Sequence, residues 1–464
     1  MSNNPFAVSS PEMMDAAAML KLYVPLSENF EIDAPAHVFI HGHRGCGKSM
    51  MLRQMTPDCM MLSSNKKLKE LPYLGLYATI KSTDLDLSDF ERISNQYAGL
   101  VLAEHSLSLF IASKSLQSLR DHSGDALNDG PSMQAIAKVC EQMVISKLQL
   151  AGTKFSDEIL SSSALLSSND VLERAIKAID EVYGLMSSYL RKVGITEVYT
   201  PYSGPMVGYR DFLFPFLCEL TQLECMPKNK PVFLLLDDAD NLSLIQTQVL
   251  NNWVSFRTGS KVAFKISTQR GYKTWRTTSK QRIESPHDFK EVDISTIYTG
   301  KHSKAAYPKW VEDVVAKRLS QCNIQVSAKK FFPEDKEQEE EIRKLAQQLI
   351  ADWKSDGKGY RAGDDAYRYA RPDYIKGLGP KQKRTYSYAG FDQLVHISSG
   401  IVRYFLDNAA AMYAEELKLH LVSERQQPGE VLDSISPSIQ DVVVRDFVYP
   451  DKITMRSYNP VIKG

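Results

Sequence analysis

The sequence predicts an α/β fold in which a parallel sheet lies between helical layers, is interrupted by an all-helical insertion and is followed by a helical lid. Three observations carry this. His37 to His41 is a β-rich run that leads through a glycine-rich loop into a helical pattern. Val232 to Asp238 reads VFLLLDD, an unbroken apolar run that ends on two carboxylates, as expected of a strand covered on both faces. Strand, amphipathic helix and strand then follow in succession, the order that implies parallel pairing.

In chain order, Glu12 to Tyr23 has helical spacing, His37 to His41 is the first strand, and Met50, Met51 and Leu52 open a helix after the loop. Tyr73 to Ile80 is the second strand. Leu85 to Lys192 is helical, with polar breaks at 121–132 and 152–157 that contain Gly, Asn, Ser and Pro, the residues that punctuate helices. Helical texture returns at Tyr209 to Leu223, and Met226 to Lys230 breaks it before the third strand, Val232 to Leu236. Leu242, Ile245, Val249, Leu250, Trp253 and Phe256 form one face of a helix. Strands at Val262 to Ser267 and Phe289 to Ile294 complete the sheet. Helices follow at Trp310 to Leu319, Glu337 to Trp353 and, as one long run, Gln393 to Leu421. The expected organisation is residues 1–84 as the first part of the core, 85–205 as the helical insertion, 206–298 as the second part of the core, and 299–464 as the lid with a basic, Tyr-rich loop at 352–390.

A chain of 464 residues with 43% hydrophobic and 24% charged residues can bury a large core, and roughly two to three domains are expected. Lysine and arginine number 56 against 56 acidic residues, so no global field draws the chain onto nucleic acid or anionic lipid. The six cysteines have no close zinc-ligand spacing, which points to a reduced cytoplasmic compartment. Met1 to Pro11 has no basic stretch, and no segment reaches the ~18 apolar residues of a membrane span. Neither secretion nor a membrane partner is expected.

Gly42 to Ser49 reads GHRGCGKS and matches the phosphate-loop pattern GxxxxGK(S/T) in full, between a β-run and a helix. The glycines let backbone N–H groups face a polyphosphate, Lys48 neutralises the β- and γ-phosphates, and the Ser49 hydroxyl faces Mg²⁺. Gly42, Gly45, Cys46, Gly47, Lys48, Ser49 and Met50 form the expected ATP-contacting set. The bland reading is a glycine-rich turn. Such an ATPase also needs a carboxylate at the end of a buried strand. Asp237 is the expected metal ligand with Ser49, and Asp238 the acid that polarises the attacking water. The alternative is that these acids cap the next helix, although Asp240 or Asn241 is better placed to do so. Asp238 is one methylene shorter than the more usual glutamate, so slow turnover is expected.

Thr268, with Gln269 behind it, is the candidate phosphate-sensing group at the end of the fourth strand. Arg257 and Arg270 are candidates to reach a neighbouring subunit's nucleotide. Arg403, in SSGIVR from Ser398, is the candidate lid arginine, against an ordinary helical ion pair. Between Asp352 and Gly390, cations such as Arg368, Arg371, Lys381 and Lys383 alternate with tyrosines such as Tyr369, Tyr374, Tyr386 and Tyr388. That mixture suits single-stranded nucleic acid or a protein partner, and a mobile, protein-facing loop is the favoured reading. His37 and His41 lie on a strand and read as packed side chains.

Asn4-Pro5-Phe6, the loop Gly42 to Ser49, FLLLDDADNL from Phe233, FKISTQ from Phe264 and YSYAGFDQLVHISSGIVRYFL from Tyr386 together resemble bacterial origin-recognition-complex-like AAA+ ATPases, near the signal-transduction ATPases with numerous domains. The resemblance implies an αβα P-loop NTPase core with a helical lid, ATP and Mg²⁺ as ligands, and work as a homo-oligomer. It implies phosphate and metal binding by Lys48 and Ser49, the metal carboxylate at Asp237, the catalytic acid at Asp238, and sensing roles for Thr268 and Arg403. Relatives of this broad type occur in anti-phage defence, which suggests a switch acting on a protein effector encoded nearby. Roughly 190 residues separate Ser49 from Asp237, more than a minimal core needs, which supports an inserted module. About 40 residues follow Leu421, short of a winged-helix domain, so a DNA-binding initiator or remodeller is the second reading. A scaffold that binds ATP without turnover is the third.

Overall fold

The computed structural model of the chain describes residues 4–26, 31–81, 93, 96–160, 167–195, 201–256, 258–295, 306–355, 362–378, 385–422 and 432–448. The chain divides into two compact units, Ser10–Thr296 and Ile297–Gly464 together with Met1–Ser9.

The first unit is built on five strands: β1 Val38–His41, β2 Leu74–Thr79, β3 Val232–Asp237, β4 Val262–Thr268 and β5 Lys290–Asp293. They lie in the five regions that the sequence predicts as strands. All pair in parallel in the order β2-β3-β4-β1-β5. β3 and β4 are buried along their whole length, which is why VFLLL of β3 runs apolar without alternation, whereas β4 buries Lys265, Ser267 and Thr268 among its apolar residues. β4 lies between β1 and β3, and His41 pairs with Thr268 at its end. Three strand ends therefore open side by side at the carboxyl edge of the sheet, where parallel α/β folds place ligands.

Around the sheet lie α1 Ala16–Leu22, α2 Lys48–Arg53, α3 Pro57–Ser64, α4 Gln96–His122, α5 Gly130–Val139, α6 Ser146–Leu150, α7 Asp157–Leu160, α8 Ser168–Ile195, α9 Phe214–Leu220 and α10 Leu244–Ser255. A short 3-10 turn, Pro11–Met13, precedes α1, so the helix expected from Glu12 begins later, where the Asp15 carboxylate accepts the Ala18 N–H. A π-helical turn joins α5 to α6, and another, Tyr209–Leu213, enters α9. The second lies just before Pro215, which has no N–H to continue an α-helical ladder. α10 is capped by Ser243, whose hydroxyl accepts the Gln246 N–H while the Gln246 side chain accepts the Ser243 N–H. The expected caps Asp240 and Asn241 do other work: Asp240 accepts from the Gln269 amide at 2.7 Å, and Asn241 donates to Ile80 O at 2.7 Å.

The helices between β2 and β3 are continuous with the sheet. α4 packs on β2, α8 and α10, and Leu109, Leu116 and Ile176 share one buried cluster with Leu234, Leu236 and Ile266. β2 is an edge strand, and α4 covers the side that no strand pairs: the Tyr77 N–H donates to the buried Ser118 hydroxyl at 2.8 Å. Burying that edge removes a site for strand addition.

The second unit contains α11 Ala306–Gln321, α12 Ala328–Phe331, α13 Lys336–Ser355, α14 Ala362–Gly377, α15 Phe391–Ile397, α16 Val402–Val422 and α17 Pro437–Val448. The start of the chain, expected with the sheet, belongs here. Phe6 is fully buried with its ring 5.6 and 5.4 Å from those of Phe331 and Phe332, and the Arg318 guanidinium donates to Pro5 O and Ala7 O.

The basic, tyrosine-rich stretch expected as a loop is helical over α14. Arg371 pairs with Glu339 at 2.8 Å and donates to the Tyr386 hydroxyl at 2.5 Å, while Ala370 packs on Ile342 and Ala346. Part of the segment's charge is thus spent within the unit. Tyr360, Lys358, Arg361, Lys381, Lys383 and Arg384 lie outside the described residues. Residues 385–390 form an extended strap held by helix side chains. Gln338 bonds both the N–H and the C=O of Ser387 at 2.8 and 2.9 Å, and Gln440 accepts the Gly390 N–H at 2.8 Å. The long helix expected from Gln393 is broken: Ser399 and Gly400 have φ of 51° and 82°, left-handed values that end α15 before α16 starts.

Candidate functional site

β1 delivers the chain to Gly42 at the carboxyl edge, and the loop turns into α2 through Gly45 and Gly47, with φ of 82° and 103°. A side chain is strained in that region, so both positions suit glycine. A Cβ placed on Gly42 would lie 2.5 Å from Cys46 Sγ, and the loop therefore closes tightly on its own cysteine. Burial pushes the Cys46 thiol above its usual pKa, which makes it a packing group. Lys48 is buried, and its ammonium donates to Gly42 O at 2.8 Å and His43 O at 3.1 Å. Ser49 and Met50 are half-buried on the first turn of α2.

Asp237 closes β3, 2% exposed. Its Oδ2 accepts from the Tyr77 hydroxyl at 2.6 Å, and its Oδ1 accepts from the Ser267 hydroxyl and from the Asp238 N–H at 3.1 Å. Asp238 is half-buried with φ 57° and ψ 41°, a left-handed conformation uncommon for a residue with a side chain and a form of strain that concentrates at functional sites. Burial, reinforced by the Asp237 and Asp240 carboxylates, raises the Asp238 pKa to about 6, against the pull of Lys48 and Arg44. Lys48 and Arg44 are thus within electrostatic reach of Asp238: folding brings the loop and the acidic strand together across the roughly 190 residues between them.

Thr268 ends β4 between them, but it is fully buried and its hydroxyl donates to Gln269 O at 3.3 Å. The residue of β4 that meets the acidic strand is its neighbour, Ser267. Arg270 is bound within its own unit to Asp293 at 2.8 Å and to the Ser295 hydroxyl. Arg257 lies outside the described residues. Arg403 belongs to the other unit, exposed on the first turn of α16 and one turn before Asp407.

His37 accepts the Phe264 N–H at 3.1 Å, and burial lowers its pKa to about 4. His41 packs against Trp275 with ring centroids 5.8 Å apart. Among the described residues no cluster of His, Cys, Asp or Glu could hold a metal on its own. A cation here would have to share its ligands with a polyphosphate, as Mg²⁺ does. The buried lysine, the left-handed glycines and the carboxylate closing β3 fit such a pair.

Tyr77 and Ser267, the two side chains that hold Asp237, were not singled out in the sequence. The signal for Ser267 was adjacency to Thr268, and for Tyr77 its place on the β-run two residues before Thr79, which pairs with Asp237.

A strand, phosphate loop and helix, with an acidic strand end two strands away in a parallel sheet, define a P-loop NTPase core. Compared with models of known families, residues 4–450 match ORC-CDC6-like. The chain belongs to this family of AAA+ ATPases, in agreement with the resemblance drawn from its motifs. No curated protein and no solved structure matches it. Among the described residues no helix is long and apolar enough to cross a membrane.

Proposed function

We propose that the protein is an oligomeric, Mg²⁺-dependent ATP switch that hydrolyses slowly and regulates a partner protein. The observation that supports it is that the buried cation of Lys48 lies within electrostatic reach of Asp238, a half-buried acid of raised pKa, at the mouth of three parallel strands. In this reading the loop from Gly42 to Met50 binds the triphosphate. Lys48 exchanges its carbonyl partners for phosphate oxygens, an exchange of neutral for charge-assisted bonds. Ser49 and Asp237 would hold Mg²⁺, which supplies charge neutralisation at the phosphates. Asp238 takes the proton of the attacking water. Its short side chain and left-handed backbone limit its reach, so turnover is slow. Thr268 senses the γ-phosphate only if its buried hydroxyl leaves Gln269 O. Arg403 from the lid and Arg257 or Arg270 from a neighbour complete the site on assembly.

Phosphate release by the full chain, measured alongside mass photometry with and without Mg²⁺-ATP, tests this. Slow release and ATP-dependent assembly are expected; monomers under both conditions, or fast sustained release from monomers, contradict it. The link to an effector in anti-phage defence rests on the family resemblance. It is tested by whether a pull-down from the host recovers a neighbouring gene's product with the wild type and loses it with Lys48→Ala.

A further inference from the structure

We infer that Tyr77 is the residue that positions the Asp237 carboxylate, and that Ser118 of the helical insertion fixes Tyr77 in turn. The inference rests on the reading of Asp237 as the metal carboxylate. In the β2–β3 register Tyr77 pairs with Leu235 and Thr79 with Asp237. Residues two apart share a face of the sheet, so a side chain at position 77 that is long enough reaches Asp237 diagonally. Tyrosine is long enough: its hydroxyl donates to Asp237 Oδ2 at 2.6 Å, with both residues buried. Since Oδ1 already receives the Ser267 hydroxyl and the Asp238 N–H, Tyr77 is what engages the second oxygen and stops the carboxylate from turning. A phenol is protonated at neutral pH and a carboxylate oxygen can only accept, so Tyr77 is the donor of this bond.

The same residue is tied on the opposite side of the strand. Its N–H, which faces away from β3, donates to Ser118 Oγ at 2.8 Å. Ser118 is itself 4% exposed on α4, the helix that also packs on α8 and α10. Tyr77 is thus bonded to the insertion through its backbone and to the acidic strand through its side chain. A shift of α4 along β2 changes the lever that orients Asp237. The insertion thereby has a physical route to the metal ligand, from its first long helix to the end of β3.

The test is a Mg²⁺ titration of the affinity for a non-hydrolysable ATP analogue, made on the full chain without turnover. Groups that orient a metal ligand typically change metal affinity about 10- to 100-fold when removed. Tyr77→Phe is expected to keep the affinity measured in EDTA while the Mg²⁺-dependent gain moves to roughly tenfold higher Mg²⁺. Ser118→Ala moves the same curve in the same direction, Ser118→Thr restores it, and the double variant goes no further than Tyr77→Phe, as expected of two residues acting in series. If Tyr77→Phe and Ser118→Ala lower the melting temperature but leave the Mg²⁺ curve in place, their role is packing and the inference is overturned. Multiplying effects in the double variant overturn the serial link. Asp237→Asn separates the two readings: a wild-type Mg²⁺ curve in that variant removes the metal role of Asp237 itself, whatever Tyr77 does.

Discussion

The two edges of the sheet hold two buried lysines that are bonded alike in different surroundings. At the carboxyl edge Lys48 donates to Gly42 O and His43 O; towards the amino edge Lys265 donates to Ala34 O at 2.6 Å and Ala36 O at 2.8 Å. The difference lies in what surrounds the ammonium. Lys48 follows a left-handed glycine and lies within reach of Asp238, so an incoming anion can replace its carbonyl partners. Lys265 sits over the Phe233 ring at 4.2 Å, fully buried, and its carbonyls come from the segment that leads into β1. A buried lysine with carbonyl partners therefore reads as a ligand group or a lock according to the backbone and charges around it, and the two ends should respond differently to mutation.

The largest difference should appear in turnover. Asp238→Asn, at the carboxyl edge, is expected to lower phosphate release about 100-fold or more, the range for loss of a general base. Because the free-enzyme pKa is raised to about 6, wild-type kcat/KM should fall as pH drops through about 6, and the variant's residual rate should lack that limb. Stability moves the other way. Between roughly pH 4 and 6 the folded state holds the Asp238 proton and the unfolded state does not, so this group's contribution to stability falls as pH rises. Asp238→Asn should melt higher than wild type at pH 7.5 and with it at pH 4. An unchanged rate would remove Asp238 from the chemistry.

Next in size are the lysines themselves. Lys48→Ala is expected to weaken ATP binding about 10- to 100-fold, the worth of a charge-assisted hydrogen bond of about 1.5–3 kcal/mol, with little change in melting. Lys265→Ala leaves two carbonyls without their donor and should cost about 2–3 kcal/mol of stability, with the ATP affinity of the folded fraction unchanged. Calorimetric titration and denaturant unfolding of both variants measure this. If each lysine moved both quantities equally, the distinction between ligand group and lock would fail.

The same contrast explains what was legible in the sequence. The placement of Lys48 on a strand–loop–helix turn and of Asp237 and Asp238 at the end of β3 could be read because each belongs to a contiguous pattern. β3 could be read because burial on both faces leaves an unbroken apolar run, VFLLL; β5, KEVD, has a single buried residue and was legible mainly through the apolar residues that flank it, Phe289 and Ile294. The partners of Asp237 could not: Tyr77 lies 160 positions away and Ser267 30 positions away, and only the sheet order brings them together. Nor could the partners of Lys265, the carbonyls of Ala34 and Ala36, which lie 231 and 229 positions away. α14 was hidden for a different reason. It carries Gly363 and an internal Pro372, which oppose helix on propensity, and its contacts with α13 through Arg371 and Glu339 override them. The helical character of the segment between β2 and β3 could be read from its periodicity, but not its fusion with the sheet, since helical spacing says which face is apolar and not what covers it.

The smallest effect is also the one that isolates Lys265 from everything else at its end of the sheet. Burial, with a further push from the Lys290 ammonium, lowers its pKa to about 7, against about 10.4 in an unfolded chain. Below pH 7 both states carry the proton and the group adds no slope. Between about pH 7 and 10 the unfolded chain binds a proton that the folded chain does not, so stability gains from this group as pH rises. Lys265→Met keeps the volume and removes the titration. The melting temperature of wild type relative to Lys265→Met should therefore climb from pH 7 to pH 10 and stay level from pH 5 to pH 7. A flat difference across the whole range would mean that the ammonium stays charged in place, and that the carbonyls of Ala34 and Ala36 hold it as firmly as phosphate is proposed to hold Lys48.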